Sequence, residues 1–393
     1  MRKFLFALGI ALIIAIPSIS LAQTVGYDGG FFIKNDEGTF KLKIIGRVQP
    51  KFEFTKQTVP TPGANNRQGK TQTTFSMRRA ELGFATTIND DLTLRVGLKH
   101  STNSKNFNTM NVAYATASYE VMPEFVVTAG MVGLPLSIMA ETSSKWFLLA
   151  DPPITELQDD GVENFTLSRA SFSVPDGLGI NFAGDISKFF YSLSVVNGAE
   201  SNYAFNPNNR ISFGARFGVN ILDPVPGSMT DFECSSKPKL TASVGTMYQG
   251  KRQDANVTPA ADIKYLWTTS AGVALRWGGF ALTTEGYFRR MHVSNPGGAR
   301  WARGSLDDLA YYAAVGYYFI PKKLEIAAQA AQIFRQGPDN NANSFGGGLN
   351  YYIFNNNMKL QFAYTWTQDF DDVFGNGSDN HIHNFALMTS ALF

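Results

Sequence analysis

Two-residue alternation of apolar and polar side chains recurs along most of this chain, and the connections between the alternating runs are short and long by turns. From Leu42 to Phe54 the even positions are Leu42, Ile44, Gly46, Val48, Pro50, Phe52 and Phe54, against Lys43, Ile45, Arg47, Gln49, Lys51 and Glu53. Leu92, Leu94, Val96 and Leu98 alternate with Thr93, Arg95, Gly97 and Lys99, and Leu360, Phe362, Tyr364 and Trp366 with Lys359, Gln361, Ala363 and Thr365. A period of two places each set on one face of a strand. Alternation alone fits a soluble sandwich as well as a closed barrel, since both have one apolar and one polar face.

The connections separate the two. Strands are predicted near 42–54, 72–87, 92–100, 109–120, 125–132, 178–186, 189–197, 210–221, 239–249, 264–277, 279–290, 310–320, 324–334, 344–354, 358–367 and 382–393, about 16 in all. Short links (Asn89-Asp90-Asp91, Ser187-Lys188, Gly278, Pro321-Lys322-Lys323 and Asn355-Asn356-Asn357) alternate with long ones at 55–71, 198–209, 250–263, 291–309 and 368–381. Outer-membrane barrels pair short periplasmic turns with long outer loops in this way. One link breaks the parity: 223–238 is long where a turn belongs, and is read as an elaborated periplasmic turn or a misplaced boundary.

The expected fold is therefore all-β: a transmembrane antiparallel barrel. Trp267 and Trp277 share one face, ten residues apart. That is roughly 33 Å along a strand and, at ~40° tilt, about 25 Å of height, the separation of two aromatic girdles. Thr269, Ala271, Val273 and Leu275 lie between them on that face, and the same parity turns the terminal Phe393 outward. A barrel of about 16 strands encloses an aqueous channel rather than a packed core.

The N-terminus gives the compartment. Met1-Arg2-Lys3, an apolar run to Ile16, Pro17 and Ser20-Leu21-Ala22 before Gln23 have the order of a secretory signal peptide. Residues 1–22 are expected to be removed, leaving a barrel domain at 23–393 in the outer membrane of a Gram-negative bacterium. The apolar run is short for a membrane span, and no Cys follows the cleavage site. Without Arg2 and Lys3 the chain has 32 basic and 32 acidic residues, so overall charge provides no case for nucleic acid. The single cysteine, Cys234, excludes an internal disulfide framework.

Selectivity must then come from where charges sit. Alternation turns Lys43, Arg47, Lys51, Arg79, Arg95, Lys99, Arg210, Arg216, Arg276, Arg289 and Lys359 inward, with the acids Glu53, Glu81, Glu285 and Glu325. A cationic excess in a narrow lumen concentrates anions, and a one-residue bulge would flip individual assignments. The longest connection, 133–177, is the third outer loop. In porins that loop folds inward and narrows the pore, so it is the expected constriction loop. Gly133-Leu134-Pro135-Leu136 and Trp146-Phe147-Leu148 suit packing against a wall. Glu141, Lys145, Asp151, Glu156, Asp159, Asp160 and Glu163 supply its charges, and its acids facing basic wall residues would weaken an anion preference.

Several segments resemble the phosphate-selective porin O and P family: Gly46-Arg47-Val48-Gln49, Arg78-Arg79-Ala80-Glu81-Leu82-Gly83, Ile320-Pro321-Lys322-Lys323-Leu324-Glu325, Gly337-Pro338-Asp339-Asn340-Asn341, and Gly348-Leu349-Asn350-Tyr351-Tyr352 leading to Lys359-Leu360-Gln361. The resemblance spans most of the mature chain and is clearest in the last 90 or so residues. It implies a 16-stranded trimeric porin with its third loop inside. Phosphate-specific members carry a lumenal arginine ladder, for which Arg47, Arg79, Arg95 and Arg216 would be rungs, and a lysine cluster at the constriction. That cluster is not evident here: Lys145 is the one lysine of the third loop, and Lys251 and Arg252 belong to a later one.

The resulting expectation is a homotrimeric porin, in contact with outer-membrane lipid, that passes small hydrophilic solutes and inorganic anions with weak anion preference. A phosphate- or polyphosphate-selective channel is the alternative, and a barrel-type hydrolase or adhesin the second. A hydrolase needs a His near the rim. Of His100, His292, His381 and His383, the last two with Asp379 make the best constellation, and two His two apart on a strand share a face suited to a metal. Loop and interface roles fit them better. No glycine-rich phosphate motif or Cys/His zinc spacing is present, so no enzyme activity, cofactor or metal is expected. Nor does a plug domain of the siderophore-transporter type precede the first strand.

Overall fold

A computed structural model describes residues 23–60, 67–100, 110–155, 172, 176–197, 210–254, 261–295, 304–336, 341–369 and 381–393. The predicted signal peptide lies outside them. Sixteen antiparallel strands form the barrel: β3 (Phe40–Pro60), β4 (Arg67–Ile88), β5 (Leu92–His100), β6 (Met110–Met122), β7 (Phe125–Gly133), β8 (Asp176–Ile186), β9 (Phe189–Asn197), β10 (Ile211–Asn220), β11 (Lys239–Asp254), β12 (Ala261–Trp277), β13 (Phe280–Asn295), β14 (Ser305–Ile320), β15 (Leu324–Arg335), β16 (Ala342–Phe354), β17 (Met358–Gln368) and β18 (His381–Leu392). Each pairs with the next, and β18 pairs with β3 from His381↔Thr58 to Leu392↔Arg47, so the sheet closes. Closure removes free edges, the condition for strands in lipid.

The sequence did not predict two short strands before the barrel, β1 (Gln23–Tyr27) and β2 (Phe31–Asn35). They form a hairpin, and β2 pairs with the start of β3 from Phe31↔Ile44 to Lys34↔Lys41. β18 and β2 thus lie end to end along β3. The junction is sealed where the Gly46 and Phe393 backbones exchange N–H···O bonds of 2.6 and 3.0 Å. The first hairpin is also longer than predicted, with β3 and β4 paired as far as Pro60↔Arg67.

The faces follow the alternation. Outward aromatics and aliphatics are exposed, Trp267 at 41% and Trp277 at 57% among them. The tight turns use residues that tolerate positive φ: Asn89 and Asp90, and the pair Gly278 (φ 60) and Gly279 (φ 86), whose twist matches that of the flanking strands. One bulge re-aims functional side chains. Gln49 pairs with Arg79 but Pro50 pairs with Met77, so Arg78 is an extra residue on β4. Pro50 has no N–H for the ladder, and a bulge is where a strand accommodates that. As a result both Arg78 and Arg79 face the lumen, where unbroken alternation would put them on opposite faces.

Candidate functional site

The inner surface is built from the barrel wall and the segment 134–155 of the third loop. Leaving β7, Leu134 and Leu136 join an apolar cluster with Val196, Met247, Leu266, Met291 and Leu306. The Ser270 hydroxyl donates 2.5 Å to the Leu136 carbonyl. Gly245 faces the Leu136 backbone so closely that any Cβ would collide with it. The chain then makes one helical turn, α1 (Ile138–Glu141), capped by the Ser137 hydroxyl. Its first N–H groups donate to the buried carboxylate of Glu285, 2.6 Å from Ile138 and 3.0 Å from Met139. Tyr287 and Tyr312 donate to the same carboxylate at 3.1 and 2.8 Å.

Beyond α1 the segment spans the barrel. Glu141 pairs with Arg216 on β10. Ser144 accepts a hydrogen bond of 2.9 Å from Arg47 on β3, seven strands around a ring of sixteen and so nearly opposite. Phe147, Leu148 and Leu149 settle against β14–β18 in a cluster with Ala310, Ala314, Ala327, Ala331, Ala363 and Ala386. Asp151 pairs with Lys51 at 3.3 Å and Arg78 at 3.2 Å. Burial pushes the Asp151 carboxyl up, but the fields of Lys51 and Arg78 and their hydrogen bonds outweigh it, leaving the pKa below its ordinary value. Phe172 returns to the wall, its N–H donating 2.6 Å to the Thr155 carbonyl.

The link read from sequence as 223–238 runs from 221 to 238, between the ends of β10 and β11, and is an elaborated turn rather than a misplaced boundary. It too folds against the inner wall: Met229 belongs to the same apolar cluster as Phe147 and Leu148.

The family model for phosphate-selective porin O and P matches residues 58–388, most of the chain. The chain belongs to this family. No curated protein matches it significantly. Solved structures show the same fold at low identity. Trimer-form OmpT of Vibrio cholerae has a TM-score of 0.59 at 12% identity, covering 90% of this chain and 100% of that one. The anion-selective porin of Comamonas acidovorans also scores 0.59 at 12%, covering 89% and 99%. OprB of Pseudomonas putida scores 0.53 at 9%, covering 89% and 94%. The protein is a porin of the bacterial outer membrane.

The basic residues predicted to line the pore fall into distinct groups in this porin. Those on β3–β5 are exposed or half-buried. Arg95 is exposed and lies over the Tyr114 ring at 5.2 Å. Arg47 pairs with Glu81 at 2.5 Å, and Arg79 is 3.6 Å from the same carboxylate group. Lys51 also reaches Glu53 at 2.9 Å, and Lys99 is half-buried. Lys43 sits at the periplasmic rim, 3.6 Å from Asp28 of the N-terminal hairpin. On the third loop, the Lys145 ammonium lies over the Trp146 ring at 5.2 Å; burial pushes its pKa down, and the positive fields of Arg47, Arg95 and Lys43 lower it further.

Arg216, Arg276, Arg289 and Lys359 face inward but are buried, which corrects their assignment as charges lining the open lumen. Arg276 donates to the Ser228 carbonyl of the periplasmic turn, at 2.5 and 3.1 Å. Arg289 pairs with Asp308 at 2.8 Å beneath the Phe172 ring. Lys359, fully buried, donates 3.2 Å to the Phe147 carbonyl. Arg216 is buried by Glu141. Arg210 lies just before β10, exposed at the loop end. Of the predicted acids, Glu285 and Glu325 are likewise buried in bonds to the folded-in segments. Glu156, Asp159, Asp160 and Glu163 lie outside the described residues, as do Asp379 and the side chains of Lys251 and Arg252. His381 and His383 belong to the outward face, stacked on Trp366 and Tyr364, which separates them from the lumen. Sequence did carry one missed signal, the inward alanines of β14–β18, which leave room for a loop where a water-lined wall would carry polar groups.

Proposed function

We propose that this porin passes small hydrophilic solutes and inorganic anions, with weak anion preference, through the part of the lumen bounded by β3–β9 and the segment 134–155. The observation that carries this is the placement of Arg47, Arg79 and Arg95 on one strip of the inner wall, none of them fully buried. Fixed charges in a narrow aqueous lumen act within the ~10 Å screening length at 0.1 M salt, so this strip raises local anion concentration. Glu53, Glu81, Glu141 and Asp151 offset part of the field, which keeps the preference modest. In this reading the third loop is the constriction, because its contacts with Arg216 and Arg47 bridge nearly opposite walls.

The chain acts after removal of residues 1–22, as a homotrimer in the outer membrane of a Gram-negative cell. The trimer form of the Vibrio cholerae relative and the order of the first 22 residues support this. Reconstituted protein is expected to give steady ohmic channels, to let sugar-loaded liposomes swell, and to show an anion-directed reversal potential in a salt gradient. Silent bilayers and unswollen liposomes would refute transport; clear cation selectivity would refute the charge assignment.

A second reading, phosphate-specific passage, is favoured by membership of the phosphate-selective porin family and by the positive fields of Arg47, Arg95 and Lys43 felt at Lys145. Block of chloride current by micromolar phosphate would establish it over general diffusion.

A further inference from the structure

The transport reading leaves the turn 221–238 without a role. Its counterparts at the same rim close with two or three residues, as at Asn89-Asp90-Asp91 and Gly278-Gly279. A turn that merely joins β10 to β11 needs no more. This one places Met229, Thr230 and Asp231 in buried positions. Asp231 organises it, accepting from the Ser235 N–H at 2.9 Å, the Ser235 hydroxyl at 2.7 Å and the Gly279 N–H of the neighbouring turn at 2.8 Å. The turn is therefore ordered and anchored to the rim.

Its tip meets a hub. The Thr230 hydroxyl donates 2.5 Å to Glu325, a fully buried carboxylate on β15. Tyr352 donates to Glu325 at 2.7 Å, and so does the Asn350 side-chain amide at 2.8 Å. That amide nitrogen has two hydrogens. The other goes 2.8 Å to the Leu148 carbonyl, at the point where the third loop lies against the wall. Gln361 holds the Asn350 oxygen at 3.1 Å and fixes the amide's orientation. Beside this polar chain, Met229 packs in one apolar cluster with Met139, Phe147 and Leu148. Two segments more than 60 residues apart, one entering from each end of the barrel, thus share both a hydrogen-bond chain and an apolar contact.

We propose that the turn 221–238 is an internal buttress for the third loop, and that Glu325 and Asn350 are the positioning residues joining the two. The physical case is that a loop crossing a water-filled lumen has solvent on one side and is free to swing unless its backbone is held. The carbonyl of Leu148 accepts its shorter bond, 2.8 Å, from an amide whose own position depends on Glu325, and a longer one of 3.4 Å from Gln361; Glu325 in turn is oriented by the hydrogens of Thr230 and Tyr352. Loss of the turn admits water to a buried carboxylate and frees the Asn350 amide to rotate, so the hold on Leu148 weakens. The inference rests on the reading of segment 134–155 as the constriction; the coupling itself has a readout that does not need current.

The test uses the full chain with its single cysteine removed (C234S) and a spin label at Ala140→Cys, an exposed site on the loop. Three variants are compared: T230V, N350L, and replacement of 224–238 by Asn-Gly. Each is checked for the folded barrel by its resistance to detergent unfolding. Expected are a shift of the label from restricted to mobile in all three, largest on turn replacement, and a roughly threefold or greater rise in open-channel current variance from flickering of a loosened loop. A label as restricted as in the parent in folded turn-replaced protein overturns the proposal. Should that variant not fold, unchanged spectra in both T230V and N350L overturn it. Silent parent bilayers with a label that is still released would sink the porin reading alone and leave the coupling standing.

Discussion

On β3–β5 the inward bases Arg47, Arg79 and Arg95 border open lumen, while on β12–β17 Arg276, Arg289 and Lys359, placed inward by the same alternation, are sealed beneath the third loop and the periplasmic turn. In the first group Arg47 and Arg79 share the Glu81 carboxylate and Arg95 lies exposed over the Tyr114 ring. The second is bonded to backbone carbonyls or, for Arg289, to a carboxylate that is equally buried. A charge on an inner barrel face therefore acts on permeating ions only if nothing folds over it. Otherwise it is a structural group, and its removal is felt in stability.

The sharpest way to break this comparison is to exchange the predicted consequences. Arg289→Gln should destabilise the barrel by about 3 kcal/mol or more, because it removes the charged partner of the buried Asp308 carboxylate. Reversal potential should stay at the wild-type value. Replacing both partners together, R289M with D308L, should restore most of the loss, since an apolar pair of similar volume substitutes well for a buried ion pair. A selectivity change in R289Q as large as that of a β3–β5 arginine would erase the distinction between the two wall regions.

Neutralising Arg47, Arg79 and Arg95 together should do the reverse, moving the reversal potential toward cations while costing little in detergent resistance. Raising salt to 1 M, where screening acts over about 3 Å, should remove most of the difference between this variant and wild type. Were the triple variant to keep its anion preference at low salt, the strip would not face the ion path.

Deleting 140–155 should raise single-channel conductance, and it sharpens the comparison by uncovering Lys359. The deleted channel should become more anion-selective than simple widening allows. Unchanged conductance would place the segment outside the ion path.

The smallest effect concerns acid. Asp151 has its pKa lowered by Lys51 and Arg78 against the opposing pull of burial. A carboxylate depressed in the folded state stabilises it at pH above the ordinary value and loses that contribution only as pH falls through the depressed one. The anchor of the third loop on β3 and β4 should therefore survive acidification past 3.8, the ordinary aspartate value. Conductance and loop-label mobility should be flat from neutral pH to about 4.5. A transition centred above that would mean the pair is solvated and holds nothing.

The alternation of Leu42–Phe54 and Leu360–Trp366, the parity of short and long links and the spacing of Trp267 from Trp277 were enough to establish a closed membrane barrel of sixteen strands. Period and link length are local properties, and a strand with one apolar face in lipid has few other ways to satisfy its backbone. The open basic strip was legible for the same reason. What the sequence left undetermined were contacts between residues far apart in the chain. Arg78 turned inward because Pro50, on the neighbouring strand, broke the ladder opposite it. Arg276, Arg289 and Lys359 were removed from the lumen by segments whose path depends on packing against inward alanines. Lys145 joined Arg47 and Arg95 only because the loop crosses the barrel. Alternation assigns a side chain to a face; only the folded chain decides whether that face meets water, lipid or another segment, because burial is a property of all the atoms nearby and not of the strand that bears the residue.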